Sequence, residues 1–279
     1  MTSTAIIINA PRNEFPLAIG LNRGGYSGAG YKTKIVEREP NQVLGETIGG
    51  DVVLTAVNKQ SQFAMLFEHG ATSYKEVYTL SSIVMNAVRA STMEDMYRFV
   101  ENFPTDKLPP ILLLFGNQRK VFLAQSYVLQ SMWITELPQG VHTIDTAMDN
   151  MFFAETTSYI HKMFNHRRER PWLECYGDMK RALNSSLFNI RRKFSWSSKT
   201  GTASSTIMAF NHTGLMRFKY YDRTIKHPPR KEGEPFVPRY HDYIEIWRNP
   251  DAILQIQDPA VITEEDGELE DAEETKRDY

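Results

Sequence analysis

The stretch GTASSTIMAFNHTGLMRFKYYDR, residues 201–223, sets small hydroxyl side chains ahead of an apolar run and then places Arg217 and Lys219 among aromatics. Its spacing predicts two β-strands, Ser204–Phe210 and Leu215–Tyr221, joined by a tight turn at Asn211–Gly214. Two kinds of chemistry fit these residue types. The hydroxyls suit the wall of an enzyme's active site, and the bases with their aromatic neighbours suit a surface that grips a polyanion.

The charge distribution bears on the second reading. Residues 161–231 hold sixteen Lys/Arg against four Asp/Glu, a net of +12, whereas residues 258–279 hold ten acids and two bases, a net of −8. The whole-chain value of −2 hides this polarity. It speaks to partners rather than to fold. The basic segments SYIHKMFNHRRER, DMKRALNSSLFNIRRKFSWSSK and RFKYYDRTIKHPPRK are interleaved with Trp172, Tyr176, Phe194, Trp196, Phe218, Tyr220 and Tyr221. Lys and Arg neutralise phosphates and release counterions, and aromatic faces stack on unpaired bases. RNA or another single-stranded nucleic acid is therefore the expected polyanion. Arg191, Arg192, Lys193 and Trp196 form the tightest cluster, followed by Arg167, Arg168, Arg217 and Lys219. Against this, aromatics in strands and helices ordinarily belong to the core, and charges on a helix ordinarily face water. The acidic end either folds back on the basic surface as an intramolecular competitor or keeps the chain soluble.

Other motifs carry less. RGGYSGAG, residues 23–30, invites a phosphate loop, but the YKTKIVEREP that follows supplies neither the Lys-Ser/Thr ending nor an immediate helix. A flexible turn is the expectation. His161 and His166 are five apart, off a common helical face, so no metal site is expected. Cys175 is the only cysteine, which excludes an internal disulfide and a cysteine-rich metal centre. No cofactor is expected, and neither G-x-S-x-G nor H-E-x-x-H occurs.

The elements that must position these residues follow from periodicity. STAIIIN and FPLAIGLN read as a strand pair, with a polar loop from the glycines to Gly49–Gly50, and DVVLTAV and QFAMLFE read as a second hairpin around Asn58–Ser61. YTLSSIVMNAVRA has helical spacing. A second helix is predicted to start at Ser91, with Glu94 completing a capping box, and to stop at Pro104. ILLLFG, KVFLAQSYV and SMWITEL read as strands, residues 151–190 as mostly helical with a break at Pro171, and YHDYIEIW as a late strand. This order predicts an α+β fold with antiparallel sheets. Residues 1–257 are expected to form a single domain with a basic helical insertion around 151–200, and 258–279 a disordered acidic tail. No apolar run approaches the roughly 18 residues that span a bilayer, and with one cysteine the expected location is the cytoplasm, of the source cell or of a virus-infected host.

Several segments, in order along the chain, resemble the NRDE family, which includes the transport-and-Golgi-organisation-2 proteins. LAIGLNRGGY is similar to the Asn-Arg-Asp-Glu segment that names the family, and GGDVVLTAVNKQSQFAMLFE to its Gly-Gly-Thr-Trp-Leu-Gly hairpin. ELPQGVHTIDTAMDN resembles its Leu-x-x-Gly-x-His-Gly-Leu-Ser-Asn-Ala stretch, RPWLE its Pro-Trp-x-Lys, and the opening hairpin its Gly-Thr-Arg-Ser-Ser-Thr hairpin. The resemblance spans residues 5 to 223. It implies an N-terminal-nucleophile (Ntn) hydrolase-like fold: an αββα sandwich of two stacked antiparallel sheets flanked by helices. In such enzymes the first residue after processing supplies both a nucleophile and, through its α-amine, the base.

Set against that pattern, Arg23 is kept, but Ala5 aligns with the family's cysteine, Gly24–Gly25 with its Asp-Glu, Thr146 with its asparagine and Ala203 with its arginine. The resemblance therefore implies a pseudoenzyme, with Thr2, exposed by removal of Met1, and Arg23 as residual catalytic candidates. Its Golgi-organisation branch also implies an alternative, the handling of haem or lipid in a pocket near Arg23 and His142.

Overall fold

The computed structural model describes residues 3–11, 13, 15–26, 33–38, 43–48, 52–69, 74–104, 110–126, 132–145, 153–165, 172–185, 190, 200–212 and 214–222. β1 (Ser3–Asn9) and β2 (Leu17–Tyr26) pair antiparallel. β3 (Thr33–Arg38) and β4 (Val43–Ile48) form a hairpin that leads into β5 (Val52–Val57) and β6 (Phe63–His69). α1 (Tyr74–Val88) and α2 (Met93–Glu101) follow. β7 (Ile111–Gly116), β8 (Val121–Ser126), β9 (Trp133–Glu136) and β10 (Gly140–Asp145) come next. α3 (Phe153–Asn165), α4 (Trp172–Asn184), β11 (Thr200–Asn211) and β12 (Gly214–Asp222) complete the described chain.

These strands form two sheets, one ordered β10-β1-β2-β11-β12 and the other β3-β4-β5-β6-β7-β8-β9, with every pairing antiparallel. The sheets stack on one another and helices cover both outer faces, so the expected αββα sandwich is observed.

Three apolar layers hold it together. Between the sheets, Ile7, Leu17, Ile19, Leu21, Met208 and Phe210 meet Phe63, Met65 and Leu114, with the rings of Phe63 and Phe210 at 5.4 Å. Outside the seven-stranded sheet, Leu80, Val84 and Met96 of α1 and α2 pack on Val52, Leu54, Leu113 and Phe115. Outside the five-stranded sheet, Ile160, Phe164, Met179 and Leu183 of α3 and α4 pack on Ile6, Ala18, Ile207 and Ala209. Along β1 and β11 the two layers alternate residue by residue, as a strand buried on both faces requires.

Local structure departs from the sequence expectation in four places. Residues 33–48 form a hairpin, not a loop, and 140–145 form a strand. Arg23–Tyr26 continue β2, because Gly24 and Gly25 pair with Thr202 and Gly201 of β11 instead of turning. The cap of α2 is Thr92, whose Oγ1 accepts from the Asp95 amide at 3.1 Å, one residue on from the predicted Ser91 box. The expected strand YHDYIEIW and the acidic tail lie outside the described residues.

The far turns of the two sheets interlock. Ser61 sits at φ 63°, its amide bonded to Asn58 O, and its Oγ lies against Gly214 at the β11–β12 turn. Gly214 has φ 142°, and a Cβ there would collide with that hydroxyl. Gly214→Ala is therefore expected to cost about 2 kcal/mol through backbone strain and the clash. Thermal unfolding should show a fall of about 4–8 °C.

Candidate functional site

Strand register assembles a polar row in the space between the sheets. Ser3 pairs with Arg23, Arg23 with Ser204, and Ser204 with Asp222, across β1, β2, β11 and β12. Directly opposed residues share a face. For Ser3 and Arg23 that face is the inner one, since Ala5, Ile7, Ile19 and Leu21 on the same alternation belong to the inter-sheet core.

Arg23 is only 2% exposed and reaches across to the other sheet. Its Nη1 donates to Leu66 O at 2.7 Å and its Nη2 to Thr55 Oγ1 at 2.8 Å. Two bulges flank it: the register shifts between Leu66 and Glu68 on β6, and between Thr202 and Ser204 on β11. A bulge takes backbone groups off the ladder, and the Leu66 carbonyl at this one meets the guanidinium. Ser3, Thr55, Ser204 and Thr206 are also buried, so Arg23 is surrounded by buried hydroxyl residues.

The other face of the same strands carries a second polar junction. Asn22 Nδ2 donates to Leu183 O and to Ile190 O, both at 2.8 Å, while its Oδ1 accepts from Ser205 Oγ at 2.6 Å. One amide thus holds the last turn of α4, the anchored Ile190 and strand β11 together. Carbonyls at a helix C-terminus lack intrahelical partners, and Asn22 supplies one.

The residues singled out from sequence fall as follows. Arg23 lies in the inner row. Ala5 pairs with Leu21 and Ile144 and buries its methyl in the inter-sheet core, and Ala203 is wholly buried at the β11 bulge. His142 pairs with Ile7 and its Nε2–H donates to Pro138 O at 2.7 Å, so serving as a haem ligand through Nε2 would require breaking that bond. Ile7 lies four positions along β1 from Ser3, so His142 stands about 13 Å from the Arg23 row, with Ala5, Ile19 and Leu21 packed between. The structure does not bring Arg23 and His142 together.

Arg217 and Lys219 occupy β12 opposite Ala209 and Ile207, which belong to the helix-side core. Thr2, Thr146, Arg167, Arg168, Arg191, Arg192, Lys193 and Trp196 lie outside the described residues. Among the described residues no group of three or more His, Cys, Asp or Glu is placed to hold a metal ion. No described helix is long and apolar enough to cross a membrane.

Sequence reasoning missed Ser3. The hairpin register sets Ser3, the first residue of β1, opposite Arg23, a pairing that reading the apolar run alone did not single out. Counting pairs back from Arg23 through the β1–β2 turn was the signal that would have found it.

No family model matches the chain, and no curated protein matches it. Solved structures do. An N-acylethanolamine-hydrolyzing acid amidase (NAAA) ortholog of Caenorhabditis elegans superposes with a TM-score of 0.53 at 14% identity, over 74% of this chain and 92% of its own. A mutant of the conjugated bile acid hydrolase of Clostridium perfringens gives 0.50 at 10% identity, over 79% of this chain and 89% of its own. The fold is that of the Ntn hydrolases. At these identities the likeness is one of fold alone.

Replacing Arg23 by Ala should remove the buried hydrogen bonds to Thr55 Oγ1 and Leu66 O and open a void. The expected loss is about 3 kcal/mol. A lowered urea midpoint with an unchanged m-value would record it.

Proposed function

We propose that this chain is an NRDE-like member of the Ntn-hydrolase fold that no longer cleaves amides and binds a polyanion, RNA or single-stranded nucleic acid, through basic segments at one end of the five-stranded sheet. The observation that carries the reading is where those segments attach. α4 ends at Asn184 beside Asn22, β11 begins at Thr200, and β12 ends at Asp222 opposite Ser204, all at the Arg23 end of the sheet. Residues 191–199, which follow the anchored Ile190, hold Arg191, Arg192, Lys193, Trp196 and Lys199 with no acid, and residues 223–231 hold four further bases with no acid. Both segments join neighbouring strands, whose axes run about 4.8 Å apart.

The helices themselves are balanced, with Glu155, Glu174 and Asp178 against Lys162, Lys180 and Arg181. The positive excess therefore belongs to the connections. Arg167 and Arg168 precede Trp172, a helix length of about 18 Å back from that end, and are secondary in this reading. The burial of Ser3, Arg23 and Ser204, and of Ala203 where the family pattern has arginine, supports the loss of hydrolysis.

In full-length protein, Arg191→Gln, Arg192→Gln and Lys193→Gln together should weaken binding to an oligouridine RNA at least tenfold at 0.1 M salt. The slope of log affinity against log salt should fall by about 2. Affinity indifferent to salt and to this triple change would sink the reading.

The pairing of Ser3 with Arg23 favours a second reading, amide hydrolysis by Ser3. Removal of Met1 and Thr2 would give Ser3 a free α-amine to act as base for its own hydroxyl. Intact-mass measurement and turnover of an N-acyl amide separate the two. A chain that retains Thr2 excludes hydrolysis by Ser3, whereas turnover abolished by Ser3→Ala would establish it.

A further inference from the structure

On its helix-facing side β2 presents Ala18, Gly20 and then Asn22, so an apolar layer gives way to a buried amide. A buried amide is costly unless its polar atoms find partners. Both hydrogens of Asn22 Nδ2 are committed to main-chain carbonyls, those of Leu183 and Ile190. Ser205, its register partner on β11, donates to Oδ1 and fixes which way the amide points. The Ile190 carbonyl belongs to the peptide unit that leads into Arg191, and a planar unit held at its oxygen has a fixed exit direction. The Ile190 side chain is buried in the helix-side core, so it and its carbonyl are both held.

Strand pairing supplies a second fixed point. Thr200, the first residue of β11, pairs with Tyr26 of β2. The nine residues between Ile190 and Thr200 contain Arg191, Arg192, Lys193 and Lys199. That span therefore starts and finishes at two places on one strand, four positions or about 13 Å apart. We propose, resting on the polyanion reading above, that Asn22 is a positioning residue for polyanion binding, because it closes this basic segment against β2. Without the Ile190 tether, the span to be ordered on binding lengthens to residues 186–199, beyond the end of α4. A longer span loses more entropy when its ends and side chains are brought into one arrangement. Asn22 contributes no charge, and its effect is exerted through Ile190.

Binding of an oligouridine RNA to the full-length protein tests the role. Asn22→Leu should weaken affinity about fivefold at 0.1 M salt and leave the slope of log affinity against log salt unchanged, because every base remains. Loss of charge lowers that slope, so the measurement separates positioning from contact. Unchanged affinity in a folded Asn22→Leu protein would overturn the proposal, as would a slope that falls with the affinity. Ser205→Ala is the milder arm, since it leaves the Asn22 donor in place and removes the hydroxyl that orients it. Affinity should then fall two- to threefold, and no change would count against the proposal. Tryptic cleavage after Arg191, Arg192 and Lys193 in the free protein needs no RNA. It should run at least fivefold faster in Asn22→Leu, and an unchanged rate would overturn the tether. Faster cleavage in a protein whose unaltered form binds no RNA would uphold the tether but strike both the polyanion reading and the positioning role.

Discussion

The central strands of both sheets are buried on both faces, and that constraint dictates the layering. β5, VVLTAV, is buried at every one of its six positions, so its alternate side chains must meet a helix on one side and the partner sheet on the other. Two such sheets can satisfy four apolar faces only by stacking and recruiting helices outside. The helix pairs α1–α2 and α3–α4 are therefore consequences of strand composition as much as of their own amphipathic patterns. Gly20 marks how closely they dock: a Cβ at that position would press on the Met179 side chain of α4.

A guanidinium sealed in such an interior presents five N–H donors, so the surroundings must supply acceptors. The sandwich does this with an irregularity in each sheet, the bulges at Leu66–Glu68 and at Thr202–Ser204. Arg23 thereby turns a disruption of strand pairing into a bridge between layers, bonding to Thr55 and Leu66 on the opposite sheet. One side chain thus ties β2 of one sheet to β5 and β6 of the other.

Much of the fold was legible because its signals are local. Continuous apolar runs marked β5 to β8, the turn residues Asn58–Ser61 and Asn211–Gly214 marked two hairpins, and Pro104 and Pro171 bounded helices. The β3–β4 hairpin was not legible, since TKIVER and VLGETI mix charged, polar and glycine residues without clean alternation. Gly24 and Gly25 read as a turn because glycine permits one, and only pairing with β11, some 175 residues away in sequence, holds them extended. The polar row was legible in residue type but not in register: Arg23 was singled out, whereas its partner Ser3 emerges only from the pairing of β1 with β2.

The junctions between the sheets lie at both extremities of the sandwich. Arg23 spans them at one, while Ser61 against Gly214, and Asn9 donating to Leu137 O and Pro138 O, fasten them at the other. Translating one sheet along its strands over the other would break both sets together, so resistance to shear is shared between the two ends of the sandwich.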